Sequence, residues 1–432
     1  MAKLKPGYFL YNCLIILISV IGIIFVLIRN LLQHRPIAPY FRPPGPEELP
    51  QLKGKPVIWI QAVSVGETVV AKILIDELRK LLPDYGFLLT TTTPTGQAMA
   101  KKILDESIAI TYFPFDLPWL IKGFFQRICP AVFILVETEI WPNAIRQAKL
   151  SGSKMAMVNG MISDHSFKGY SRIRSFLKDV FSHFDLFAMQ SAESANRIGH
   201  LGAPLDRIVV TGNIKFDQDY PQFTREQLDA FLVQYGWSKE IPIFTAASTH
   251  RGEEEIILEA YLRLTEREPY YLILAPRHPE RVEEIIALLE AKQLPYVRRS
   301  QTASGVKDGV EILLLDTFGE LGLAYAVADV VFVGGSLVNI GGHNVLEAAF
   351  QAKPVMFGPY MHKSRPSKEL LEEADAGFTV QDADDLVRTI RELTQDRNLY
   401  RKRANNARAA VLSNKGAAAR TATLIADLVK KS

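Results

Sequence analysis

Apolar residues along this chain come in short unbroken runs, each cut off by a glycine, a hydroxyl or an acid and followed by an amphipathic stretch. "PVIWIQAV" (56–63), "GFLLTTTT" (86–93), "AVFILVETE" (131–139), "KMAMVNGMIS" (154–163) and "LFAMQS" (186–191) are the runs of the first half. Between the first two lies "ETVVAKILIDELRKLL", with apolar positions at helical spacing. Runs that do not alternate polar with apolar predict strands buried on both faces, and helices between them predict a parallel sheet. The same grammar restarts with "IPIFTAAST" (241–249), "YYLILAPRH" (270–278), "LLLDT" (313–317), "ADVVFVGGS" (328–336) and "KPVMFG" (353–358). The pattern therefore predicts an α/β chain of two doubly wound domains, residues 57–218 and 219–432. A length of 432 residues fits two cores better than one.

The N-terminus breaks this pattern. Residues 8–28 contain no charged side chain, and as a helix they extend roughly 31 Å, enough for a bilayer core. We expect residues 1–29 to be a transmembrane anchor and the proline-rich residues 30–56 a semi-rigid linker. Lys3 and Lys5 precede the run, while Arg29, Arg35, Arg42, Lys53 and Lys55 follow it. The heavier positive flank predicts a body on the cytoplasmic side. A net charge of +3 is too small for a nucleic-acid binder, and two cysteines make no disulfide framework. The eight histidines show no HExxH spacing, so no metal site is expected.

In doubly wound sheets ligands bind beyond the carboxyl ends of the strands, and the unusual residues fall there. "SVGE" (64–67) puts Glu67 in the first turn of a helix directly after a strand, where helix-dipole placement and catalysis are both open readings. "VETEIWPN" (136–143) puts Glu137 and Glu139 after another. "TTTTPTGQ" (90–97) suits either a sugar or a helix cap. "GNIKFD" (212–217) holds Lys215 between the domains. "VFVGGSLVNIGGHNVLEAA" (331–349) is the strongest phosphate signal, because glycines 334, 335, 341 and 342 let backbone N–H groups approach an anion. Glu347 is placed to accept from a ribose. "APRHPER" (275–281) puts Arg277 and His278 at a strand end. "STHRGEEE" (248–255) reads as a capped helix start, with Ser248 or Thr249 near the cap. "DTFGELG" (316–322) offers Gly319 and Glu320. "HSFKGYSRIRSFLKDVF" (165–181) mixes basic and aromatic residues and fits either core packing or an anionic membrane surface.

In this order, "SVGE", "ETEIWPN", "GNIKFD", "APRHPER" and "GGHNVLEAA" resemble the Kdo (3-deoxy-D-manno-octulosonic acid) transferase family of lipopolysaccharide synthesis. The resemblance implies a GT-B fold of two Rossmann-like domains facing a cleft. It implies an inverting, metal-independent transfer of Kdo from CMP-Kdo to the lipid A precursor lipid IVA at the inner membrane, with no cofactor. Carried over residue by residue, it makes Glu67 the proton acceptor and Glu137 and Lys215 the transition-state stabilisers. It gives CMP binding to Pro276, Arg277, Phe318, Gly319, Glu320, Asn344, Val345, Leu346 and Glu347. One departure is Gln61, where the family usually has a histidine; glutamine can orient but cannot titrate near neutrality. Two rival readings are a GT-B glycosyltransferase using a UDP-sugar and a catalytically silent lipid-binding scaffold. The co-occurrence of Glu67, Glu137, Lys215 and Arg277 at strand ends argues against the scaffold.

Overall fold

Among the described residues of the computed structural model, which are 6–17, 44, 48–304 and 309–430, the strands form two seven-stranded sheets. The first holds β1 (Val57–Ala62), β2 (Gly86–Thr91), β3 (Ala109–Tyr112), β4 (Pro130–Val136), β5 (Lys154–Gly160), β6 (Leu186–Met189) and β7 (Ile208–Val210) in the order β3-β2-β1-β4-β5-β6-β7. Every pairing in it is parallel. The unbroken hydrophobicity of β1 follows from its two faces entering two cores. Val57 and Trp59 point into one, and Ile58, Ile60 and Ala62 into the other. Trp59 is fully buried, packs on Phe125 and Phe133, and donates its Nε1–H to Thr90 Oγ1 at 2.8 Å. That bond removes the cost of an orphaned indole donor in the core.

The second sheet holds β8 (Ile243–Thr249), β9 (Tyr271–Pro276), β10 (Tyr296–Arg298), β11 (Ile312–Leu314), β12 (Val330–Val333), β13 (Val355–Phe357) and β14 (Gly377–Thr379). Its order is β10-β11-β9-β8-β12-β13-β14, again all parallel. In each sheet the connections run one way from the first strand and then reverse, so β1 lies beside β4 and β8 beside β12. Those two strand pairs are the topological switch points, where the loops at the carboxyl ends part and leave room for a ligand.

One finding alters the expected organisation. The chain through Gln218 and the segment from Asn414 onward form one unit, and Asp219–Ser413 the other, so the C-terminal stretch does not stay with the second sheet. The helix Ala417–Lys430 buries Ala418, Ala422 and Ile425 in the same core as Val70, Leu74 and Leu78 of the helix Val65–Leu81. The Asp217 carboxylate receives the backbone N–H groups of Gly416 and Ala418, which fixes where this helix begins. The apolar stripe of the helix is thus the cover that one face of the first sheet requires.

Only part of the expected N-terminal anchor, residues 6–17, falls among the described residues. No helix among the described residues is long and apolar enough to cross a membrane. Residues 6–17 are helical, and this helix packs on the first unit. Tyr8 is buried against Phe176, Tyr11 donates to Asp116 at 2.7 Å, and Asn12 accepts from Asn143 at 2.8 Å. The rest of the expected span, and most of the expected linker, lie outside the described residues. Cys13 and Cys129 are free thiols.

Ile425 is fully buried, so Ile425→Ala is expected to destabilise the first unit by about 2–4 kcal/mol through lost burial and a residual cavity. Hydrogen exchange should quicken in β1 and stay unchanged in β8. Equal effects in both strands would mean that the terminal helix does not belong to the first unit alone.

Candidate active site and nucleotide site

In the first unit the switch point is lined by acids. The chain leaves β1 through Val63 and Ser64, and Ser64 caps the helix Val65–Leu81 by accepting from the Glu67 N–H at 3.3 Å. The Glu67 carboxylate turns back, accepting from Val63 N–H at 2.7 Å and Ser64 Oγ–H at 2.8 Å. Reciprocal capping explains the local fold, yet it leaves lone pairs on both oxygens. Burial raises the Glu67 pKa from its ordinary value; its hydrogen bonds from Val63 and Ser64 oppose this and the charge of Glu137 adds to it. A base used near neutrality gains from such a shift.

Glu137 follows β4 across the switch point. It stands at φ +60°, a conformation that costs a non-glycine residue energy and clusters at functional sites. Its carboxylate takes a 2.7 Å ion pair from Lys215 Nζ. Lys215 rides on the 3-10 turn Ile214–Asp217, which Asn159 holds by accepting the Ile214 N–H at 2.9 Å. Asn159 is itself fully buried at φ +54°, and among the described residues its Nδ2 has no hydrogen-bond partner. The structure therefore brings Glu67, Glu137 and Lys215 into one cluster. It adds Glu139, whose pKa is pushed up to about 7 by burial and by the charges of Glu67 and Glu137.

The loop 90–97 resolves toward structure. Thr93 caps the helix Pro94–Ile103, and Thr91 Oγ donates to Gln97. Gln61 is buried and held at both ends, its Oε1 by Thr90 Oγ and its Nε2 on Thr92 Oγ at 3.0 Å. It ties β1 to the end of β2, an orienting role that asks nothing of proton transfer.

In the second unit the glycine-rich loop differs from the expected phosphate cradle. The Gly334 N–H donates to Ala247 O, and those of Gly341 and Gly342 donate to Gly335 O. The Gly335, Ser336 and Leu337 N–H groups converge at 2.7, 2.9 and 2.8 Å on the Glu253 carboxylate, which also accepts from His250 N at 2.9 Å. Backbone donors that looked free for an anion are thus already used by a fully buried internal carboxylate. The same arrangement corrects the reading of 248–255. The N-cap is Gly252 at φ +93°, with no side-chain cap, and neither Ser248 nor Thr249 serves.

The remaining expected donor residues stand around the same strand ends. Pro276 closes β9, and Arg277 follows it, exposed, with its N–H on Thr249 O. Phe318 is 83% exposed. Gly319 sits at φ +88°, and Glu320 is drawn below its usual pKa by Arg299, which bonds Oε1 at 2.7 Å. Asn344 accepts the Leu346 N–H and donates to Tyr220 Oη, fixing Val345 and Leu346 at the start of a short helix. Glu347 is raised by burial alone. The histidines His250 and His343, which the sequence did not single out as ligand contacts, meet at 2.8 Å here.

Residues 41–218 match the family described as 3-deoxy-D-manno-octulosonic-acid transferase (kdotransferase). A 3-deoxy-D-manno-octulosonic acid transferase of Haemophilus influenzae is 34% identical over 377 residues, covering 87% of this chain and 88% of that protein. The chain belongs to the Kdo transferase family. A second Kdo transferase, from Bordetella pertussis, is 31% identical over 382 residues, 86% of this chain and 87% of that one. The crystal structure of a glycosyltransferase from Rickettsia africae ESF-5 superposes with a TM-score of 0.58 at 16% identity, covering 88% of this chain and 100% of that one. This likeness shows the fold, two parallel-sheet α/β domains consistent with GT-B. Membership makes the chain a glycosyltransferase of lipopolysaccharide synthesis.

The acid cluster yields a pH test. Glu139 is pushed up to about 7, partly by the Glu67 charge, and it is not among the groups that shift Glu67. Glu137→Gln removes a charge that raises Glu67 and frees Lys215, so both changes lower the Glu67 pKa. The acid limb of the kcat/KM profile should then move to lower pH in Glu137→Gln and stay in place in Glu139→Gln. Movement to higher pH in Glu137→Gln would remove Glu67 as the titrating base.

Proposed function

We propose that this family member transfers Kdo from CMP-Kdo to lipid IVA with inversion, in one or more additions, on the cytoplasmic side of the inner membrane. The observation that carries the mechanism is the Glu67 carboxylate, buried at the mouth of β1 and, among the described residues, hydrogen-bonded only by Val63 N–H and Ser64 Oγ–H. In the step we propose, an acceptor hydroxyl oxygen attacks the anomeric carbon of Kdo and its proton passes to Glu67. The bond from that carbon to the phosphate oxygen breaks, and the electron pair leaves with CMP. Lys215, oriented by Glu137, offsets the negative charge that develops. Phe318 and Gly319 meet the cytidine, Glu320 braces their loop through Arg299, and Arg277 and the 344–347 segment hold the phosphate and ribose. In this reading the counter-charge comes from Arg277 and Lys215 and not from a cation.

Membrane association is supported by the apolar run 8–28 and by exposed side chains on its described part, among them Phe9 at 64% and Leu10 at 71%. Exposed Trp119 and Ile173, with the basic residues Lys168, Arg172 and Arg174, extend that character over the first unit.

Glu67→Gln keeps the size of the side chain and removes its basicity. It is expected to lower kcat about 10²–10⁴-fold with little change in KM for CMP-Kdo, measured with freshly generated donor and lipid IVA. Wild-type rates in a folded variant would sink the assignment. For the membrane, reversing Arg172 and Arg174 to glutamate should weaken co-sedimentation with anionic vesicles, most visibly at low salt. Unchanged sedimentation would place the contact elsewhere.

A further inference from the structure

His250 leaves β8 and His343 sits in the loop after β12, so the switch point of the second sheet brings them together. Their Nε2 atoms are 2.8 Å apart, so one ring donates its N–H to the other's lone pair. The rings are nearly parallel, 11° apart, and they lie against Gly335, where any Cβ would meet His343 at 2.9 Å. His278 stands edge-on to His250 at 5.6 Å between ring centroids. Lys363 packs its aliphatic stem on Gly341. Among the described residues Arg277 and Lys363 have no ion-pair partner, and the carboxylate near the pair, Glu253, is occupied by backbone N–H groups. With the glycine N–H groups already bonded, these side chains become the cationic and polar groups left to meet an anion here.

The groups facing each ring explain its empty-state charge. His343 is pushed down to about 4 by burial, then by Arg277, His250, Lys363 and His278. His250 is lowered by burial, with His278, Arg281 and Arg277 adding to this and Glu253 opposing it. The free pair is therefore neutral near pH 7. A phosphate placed among these cations cancels the repulsion that keeps it so.

We propose that the His250–His343 pair, with Arg277 and Lys363 beside it, is the subsite for the phosphate of the nucleotide donor and takes up one solvent proton, shared between its two rings, while the phosphate is bound. This rests on the CMP-donor reading above. The sign is distinctive. A nucleotide phosphate with its second pKa near 6 releases protons when cations bind it, whereas the pair takes one up, so net uptake comes from the protein.

The experiment is titration calorimetry with CMP, and with cytidine as the phosphate-free control, from about pH 8 to 6.5 in two buffers of different ionisation enthalpy. Wild-type protein should take up protons and bind CMP more tightly as pH falls, approaching about tenfold per pH unit, the limit for one proton. Cytidine binding should be flat. His250→Gln and His343→Gln keep a hydrogen-bonding group but cannot carry the proton, and each should bind CMP with no pH slope. CMP bound with no uptake, with net release, or with the wild-type slope kept in both variants would overturn the proposal and leave the donor reading intact. Absence of any CMP binding by the folded wild type would overturn both.

Discussion

A parallel sheet whose connections reverse direction must part its loops beside the first strand, and both sheets of this chain put a glutamate there. Glu67 follows β1 and Glu253 follows β8, each at the start of the helix that covers its sheet. Both carboxylates turn back onto backbone N–H groups of the preceding turn, Glu67 onto Val63 and Glu253 onto His250. What separates them is how many further donors the loop across the switch point delivers. Beside Glu253 the loop after β12 supplies three N–H groups, and the carboxylate becomes an internal anion that shapes the loop. Beside Glu67 the residue after β4 is another acid, Glu137, which supplies no donor and raises the pKa. The same constraint thus produces a structural carboxylate in one unit and the proposed proton acceptor in the other.

The strand–helix grammar was legible because the strands are buried on two faces, which removes the polar positions that would otherwise break each run. The short edge strands were less so. β7, β10 and β14 have three residues each and fewer buried positions, too little pattern to read. Nothing in the sequence of 414–430 says which sheet its apolar stripe will cover; that is settled by Asp217, two hundred positions away, receiving its first N–H groups.

The candidate site was read more completely in the first unit than in the second. "SVGE" and "ETE" are local: turn, cap and carboxylate lie within a few residues, and family resemblance assigned Lys215. Asn159 was hidden because its work, holding the Lys215 turn through Ile214 N–H, is a contact between distant positions made by an ordinary strand residue. The glycine loop misled in the opposite direction. Glycine reports that a backbone comes close to something, but not to what, and here the nearest partner is Glu253 of the same chain.

In the proposed reaction, the choice of base among three acids follows from their surroundings. Glu137 is engaged with Lys215 at 2.7 Å, so protonating it would cost that ion pair. Glu139 holds a proton up to about pH 7, because burial and two neighbouring charges favour its neutral form, and a base must begin without one. Burial raises Glu67 too, but the hydrogen bonds from Val63 and Ser64 oppose that rise. Those bonds do not consume its acceptor capacity, so it can receive a proton without first breaking a contact. Electrostatics and geometry favour the same residue for the proposed role.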